Sequence, residues 1–254
     1  MRGAYVMRLL FSAGVPCQAG CKYCFAKWKD VNYSMTRFED VRLNEESAIV
    51  YPCCDGEFFD QNNIIDYVRE LANQMNKVYL SISTKREINN DEIVSLTRLN
   101  HELVSSNKGF VKVAISLSSI SMLEEIEPNT MTYTERLSLA SKIVESGLKL
   151  ALTIKPVLPF VASEEYCRII NDFSQYTSRV LIGGLYVEPD SEFCTQYIGA
   201  QYSVLPRIVN WIPSNPKWNY IEDNDQFKVI REYAREHSIM IFDSDVDLIN
   251  SLIE

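Results

Sequence analysis

Along most of the chain, apolar runs alternate with amphipathic stretches in a regular order, the pattern of strands followed by helices. The runs that predict strands are Tyr5 to Phe11, Ser47 to Cys53, Lys77 to Ser83, Gly109 to Leu117, Leu148 to Leu158 and Arg179 to Val187. Between them the period changes to that of a helix. In IIDYVRELANQM, residues Ile64, Ile65, Val68, Leu71, Ala72 and Met75 fall on one face. ERLSLASKIVESG ends on Gly147, suited to the left-handed position that closes a helix before the next strand. Six such units predict an α/β protein with parallel strands, either an incomplete β/α barrel or a doubly wound sheet. In both, the active site belongs at the C-terminal ends of the strands.

Past Val187 the alternation fades. EPDSEFCTQYIGAQYSVLPRIVNWIPSNPKWNYIEDND reads as aromatic loop, followed by a helix over Gln226 to His237, a short strand IMIF and a last helix. Residues 1–190 are expected to form the core, and 191–254 a helical and loop extension packed on it as a lid or edge, within one structural domain. Tyr202, Trp211, Trp218 and Tyr220 in that extension are expected to cover a hydrophobic edge; stacking on a base or sugar is the competing use of such rings.

Hydrophobic residues make up 46% of the 254 positions and charged ones 23%, which is ordinary globular composition. No run approaches the roughly 18 apolar residues of a membrane span, and the apolar stretch near the N-terminus is short and broken by arginine. A cytoplasmic protein is expected. The net charge of -9 argues against a broad attraction to nucleic-acid phosphates and leaves small molecules, nucleosides and peptides as substrates. Seven cysteines, three of them within eight residues, do not form a secreted disulfide framework and point to a thiolate site in a reducing compartment.

Those three are Cys17, Cys21 and Cys24 in CQAGCKYC, spaced C-x3-C-x2-C and flanked by Gly14, Pro16 and Gly20. Structural zinc asks for four ligands, and the chain offers no second cysteine pair and only the distant His101 and His237. A redox dithiol would leave Cys17 unexplained. A [4Fe-4S] cluster on three cysteines uses all of them and leaves one iron open to another ligand. Buried cysteines without a ligand are the bland alternative.

The C-x3-C-x2-C spacing after a first strand, with Tyr23 and Phe25 around the last cysteine, resembles the signature of the radical S-adenosylmethionine (SAM) superfamily. The resemblance spans roughly residues 5 to 190 and implies a partial (β/α)6 TIM-type barrel of parallel strands. It implies that Cys17, Cys21 and Cys24 hold a [4Fe-4S] cluster whose open iron is chelated by SAM, with Phe25 beside the cofactors. CCDGEFF is similar to the family's Gly-Gly-Glu segment and implies that Cys54, Asp55, Gly56 and Glu57 meet the SAM amino group; the first glycine is replaced, and either acid can make the contact. Lys85 in SISTKRE is implied as a partner of the SAM carboxylate. Ser116 and Ser118 in ISLSS, alternate residues on one face, suit its ribose or carboxylate. Glu127, Pro128, Arg136 and the stretch Lys155 to Pro159 resemble the spore photoproduct lyase-like branch, which contains several substrate classes.

The activity this implies begins with one electron from an external flavodoxin- or ferredoxin-like reductant. SAM is cleaved to methionine and a 5′-deoxyadenosyl radical, which abstracts hydrogen from a small-molecule, nucleoside or peptide substrate. Cys53 and Cys54 are candidate hydrogen-atom donors, with strand alternation directing one inward and the other outward; packing is their competing role. Packing is also expected of Cys167 and Cys194. Tyr186 and Glu188 straddle the end of the sixth strand and are candidates for its mouth. The competing function is a non-catalytic or electron-transfer iron-sulfur protein.

Overall fold

The computed structural model describes residues 7–11, 16–27, 47–61, 63–209 and 214–253. The expected strand start at Tyr5, the flanking Gly14 and the aromatic Trp211 lie outside the described residues. Among those described are ten strands: β1 (Met7–Leu10), β2 (Ser47–Tyr51), β3 (Lys77–Thr84), β4 (Gly109–Ser116), β5 (Lys149–Ile154), β6 (Arg179–Ile182), β7 (Leu185–Val187), β8 (Val204–Ile208), β9 (Lys217–Ile221) and β10 (Met240–Phe242). The helices are α1 (Ile64–Asn73), α2 (Asn90–Ser105), α3 (Leu123–Ile126), α4 (Tyr133–Glu145), α5 (Ser163–Phe173), α6 (Glu192–Tyr197), α7 (Asn224–Glu236) and α8 (Asp245–Ile253).

Local signals set the helix ends. Asn89 with Glu92 opens α2, and Thr132 with Glu135 opens α4, each as a reciprocal capping box. At the end of α4, Gly147 N–H donates to Val144 O at 3.0 Å and Leu148 N–H to Ile143 O at 3.3 Å, with Gly147 at φ 78°. That is the closure expected from the sequence, and it delivers the chain directly into β5.

Strands β1 to β6 lie side by side in chain order and β10 adds to β6, all parallel. A doubly wound sheet would reverse its order at a switch point; this sheet does not, and it curls into a half-barrel, an α/β partial TIM-type barrel. The helices between the strands pack on its outer face, where Val78, Leu80, Ile82, Val111, Val113 and Ile115 enter the main core. The inner face is more polar, with Ser81, Lys112, Ser116 and Thr153 at alternate positions.

The last helix covers the lower part of that inner face. Ile249 packs with Ile49, Tyr79 and Phe110, and Leu248 with Ala114, Ala151 and Leu181. Asp245 at its start accepts from Lys112 Nζ at 2.5 Å and Ser81 Oγ at 2.7 Å, and Arg179 donates to Ser251 at 3.1 Å. Lys112 is 1% exposed, so Asp245 is the counter-charge that lets an ammonium sit inside the sheet.

Two expectations are corrected. The predicted sixth strand breaks at Gly183-Gly184: β6 stays in the large sheet and β7 starts a separate antiparallel sheet, ordered β7-β9-β8. A Cβ on Gly184 would stand 2.6 Å from the carbonyl oxygen of Ile221 and 2.7 Å from the Tyr220 hydroxyl, so the crossing requires glycine. The stretch read as aromatic loop forms α6 and that small sheet; its strands are short, and Pro206 on the edge strand β8 hides the pattern. Trp218 and Tyr220 are buried on β9, and Tyr202 packs against the main core. Among the described residues no helix is long and apolar enough to cross a membrane.

Candidate functional site

A cavity of about 580 Å³ opens at the C-terminal ends of the half-barrel strands, within the size range of ligand sites. One wall is the cysteine loop, and Cys17, Cys21 and Cys24 all line it, with Phe25 following. The loop is tied down by the turn after α3. Lys22 N–H donates to Ile126 O at 2.9 Å, Asn129 N–H to Ala19 O at 3.3 Å, and the Asn129 amide to Gln18 O at 3.2 Å. Gly20 takes φ 66° in the tightest part, where a Cβ would come within 3.2 Å of the Asn129 side chain.

The next wall is the end of β2. Cys53, Cys54, Asp55, Gly56 and Glu57 all line the cavity. The expected alternation of Cys53 and Cys54 fails because β2 ends at Tyr51, and beyond a strand the side chains no longer point to opposite faces in turn. The Cys54 thiol donates to Tyr51 O at 3.6 Å. Burial raises both thiols, with the Asp55 charge adding to the effect, and pushes Cys54 up to about 12. Glu57 is 5% exposed; its Oε2 accepts from Lys85 N–H at 3.1 Å, whereas its Oε1 is buried with no hydrogen-bond partner. Burial holds its carboxyl above the usual range.

Beneath the cysteine loop lies a charge cluster centred on Glu127. Its Oε1 accepts from Lys85 Nζ at 2.6 Å, from Ser118 Oγ at 2.6 Å and from the Tyr23 hydroxyl. Its Oε2 accepts from Arg136 Nη2 at 2.7 Å, and Arg136 also donates to Ser116 O and Met131 O. Glu127 and Arg136 side chains are completely buried. Burial pushes the Glu127 carboxyl up, but Lys85 and Arg136 outweigh it and hold the group at about 2. Tyr23, inside the cysteine motif, is thereby fastened to the barrel.

The remaining positions divide. Lys85 and Ser116 line the cavity, and two of the three Lys85 N–H groups go to Glu127 and the Tyr23 hydroxyl. Ser118 is fully buried and spends its hydroxyl on Glu127 instead of facing the cavity with Ser116, because β4 ends at Ser116 and alternation stops there. Tyr186 lines the cavity, and Glu188 lines an adjoining hollow of about 430 Å³ that shares Tyr23, Cys24 and Tyr186 with it. Ser83, Thr153 and Lys155 also line the cavity. Sequence reasoning passed over Ser83 and Thr153, although both sit at inward positions of β3 and β5, and noticed Lys155 only as part of the family-like stretch Lys155 to Pro159.

The donor set fits an iron-sulfur cluster with SAM. Three thiols share one wall, and the unsatisfied Glu57 oxygen is an acceptor awaiting a donor such as an amino group. Among the described residues no three His, Cys, Asp or Glu side chains close on a single metal ion; a polynuclear cluster, whose cysteines each take a separate iron, does not ask them to. Burial raises Cys17 and pushes Cys21 up to about 11, so binding iron as thiolates would release protons.

No protein-family model matches the chain, and no curated protein matches it. Solved structures do. A spore photoproduct lyase complexed with dinucleoside spore photoproduct superposes with a TM-score of 0.57 at 13% identity, covering 87% of this chain and 72% of that one. SuiB of Streptococcus suis bound to S-adenosylmethionine gives 0.55 at 11% identity, covering 93% and 46%. The radical SAM methyltransferase TsrM of Kitasatospora setae, with cobalamin and a [4Fe-4S] cluster bound, gives 0.57 at 12%, covering 97% and 56%. The chain thus has the radical SAM fold, with likeness to spore photoproduct lyase, and spans about half the length of SuiB and TsrM.

Proposed function

We propose that this protein is a radical SAM enzyme that holds a [4Fe-4S] cluster on Cys17, Cys21 and Cys24 and acts on a small-molecule, nucleoside or peptide substrate. The observation that carries the reading is the meeting of these three thiols with Glu57 and Lys85 in one cavity at the strand ends of a radical SAM half-barrel. When bound, the cluster and SAM supply one-electron cleavage of a carbon-sulfur bond and hydrogen-atom abstraction, given an electron from a flavodoxin- or ferredoxin-like donor.

The chain's own residues hold and orient. Glu57 and Asp55, both on the same wall, would hold the amino group of SAM. Lys85 offers its remaining N–H to the SAM carboxylate, and Ser116 lies one strand over. Glu127 fixes both the Lys85 ammonium and Tyr23, so the cluster loop and the SAM-binding wall move as one body. Buried Cys53 and Cys54 stay protonated on the same cavity, the form that can donate a hydrogen atom.

The test is anaerobic reconstitution with iron and sulfide, addition of dithionite and SAM, and measurement of 5′-deoxyadenosine. The wild-type protein is expected to form it, and Cys21→Ala to lose both the product and most of the iron. A full cluster without 5′-deoxyadenosine would overturn the reading in favour of an electron-transfer iron-sulfur protein.

A further inference from the structure

On the far side of the cavity from the cysteine loop, the strand ends offer one charged group. Lys155 follows β5, lines the cavity beside Thr153 and Tyr186, and has no hydrogen-bond or ion-pair partner for its ammonium among the described residues. Its stem lies across Gly183, where a Cβ would come within 2.7 Å of Lys155 Cε and 3.0 Å of Cδ and Cγ. The glycine lets the side chain lie in this course. Lys155 is exposed and reaches the cavity; the partial burial of its stem lowers its pKa, and the like charge of Arg8 acts in the same direction.

The two acids whose fields oppose that shift are committed elsewhere. Asp245 is held by Lys112 at 2.5 Å and Ser81 at 2.7 Å, and Asp243 is paired with Arg231. The other cavity lysine, Lys85, already has Glu127 as an ion-pair partner. An ammonium that lines a cavity without a counter-charge offers all its N–H groups to an anionic ligand, in charge-assisted hydrogen bonds. Under the proposed function the amino and carboxylate ends of SAM go to Glu57 and Lys85, on the opposite wall, which leaves Lys155 for the substrate.

We infer that Lys155 is a specificity-determining residue that binds an oxyanion, a carboxylate or phosphate, carried by the substrate. Thr153, next but one along the same strand and lining the same cavity, supplies a hydroxyl to that subsite. This inference rests on the radical SAM reading for its division of the cavity between cofactor and substrate.

The experiment is anaerobic calorimetry on the reconstituted protein, with and without saturating SAM, titrated with inorganic phosphate and separately with acetate. Wild type, Lys155→Gln and Lys155→Arg are compared, and SAM affinity and substrate-free 5′-deoxyadenosine formation are measured in each. With SAM bound, wild type is expected to bind one of the two anions at least tenfold more tightly than Lys155→Gln, and Lys155→Arg to stay within about threefold of wild type. SAM affinity and background cleavage should change less than twofold. The preferred anion tells a phosphoryl from a carboxylate substrate. Equal anion binding in wild type and Lys155→Gln, or no anion binding in wild type, overturns the inference. So does a loss of SAM affinity in Lys155→Gln with anion binding abolished once SAM is loaded, which would make Lys155 a cofactor ligand. Absence of 5′-deoxyadenosine in wild type overturns the radical SAM reading instead, and the SAM-free titrations still report whether Lys155 binds an anion.

Discussion

Replacing Glu127 by glutamine removes the negative charge that Arg136 and Lys85 share. Arg136 is fully buried, and the Lys85 side chain is 17% exposed, so neither cation gains enough water to compensate. The glutamine amide also turns a donor toward one of two carboxylate positions that accept from Arg136 on one side and from Lys85 and Ser118 on the other. Breaking a buried ion pair from one side costs about 3–5 kcal/mol. The pKa gives an independent figure: a carboxyl held at about 2, against an unfolded value of ~4.3, contributes about 3 kcal/mol. At about 2–4 °C per kcal/mol for a chain of this size, Glu127→Gln should lower Tm by about 6–20 °C. Because the folded pKa is depressed, this contribution is fully present above the unfolded value and is lost as pH falls toward 2. Thermal unfolding followed by circular dichroism at pH 7 and again at pH 3 tests both parts. A variant melting within about 2 °C of wild type at pH 7, or one with an unchanged acid limb, would refute the reasoning.

Two further outcomes follow from the same structure. Asp245→Asn strips the counter-charge from Lys112, and by the buried-pair scale should cost about 3–5 kcal/mol; loosening of α8 is read by faster proteolysis at the C-terminal segment, and an unchanged cleavage rate would count against the pairing. Cys53 and Cys54, both raised by burial, should alkylate at pH 8 at least about a hundredfold more slowly than an ordinary exposed cysteine, since the thiolate is the nucleophile; rapid labelling of either, read by peptide mass spectrometry, would show that the thiol is not held protonated.

The sheet was legible because its strands are nearly continuous apolar runs and its helices carry a clean stripe, so Lys77 to Ser83 and Gly109 to Leu117 were bounded to within a residue. The cysteine loop was legible because its spacing is local. What escaped depends on contacts between distant parts of the chain. Lys112 in β4 reads as an interruption in FVKVAIS until Asp245, from the far end of the sequence, comes beside it. Glu127 and Arg136 were noticed as a family-like pair, but nothing in their spacing says that Tyr23 and Lys85 complete the cluster. Alternation failed at Cys53-Cys54 and at Ser118 for one reason: periodicity persists in sequence for a residue or two after the strand that gives it meaning has ended. The Gly183-Gly184 break was visible as a glycine pair, yet a single apolar stretch on both sides favoured one strand over two.

The placement of α8 on the inner face has a consequence for how the molecule is made. Ile249 must find Ile49, Tyr79 and Phe110, which lie far from it in sequence, and such a non-local contact is slow to close during folding. Until α8 docks, Ser81, Lys112, Ser116 and Thr153 interrupt the apolar surface that Ile49, Tyr79 and Phe110 would otherwise present on that side, which limits the patch open to other chains. The same row of polar positions thus has two uses in the finished fold: Ser116 and Thr153 face the cavity, while Ser81 and Lys112 receive Asp245 and fix α8 in place.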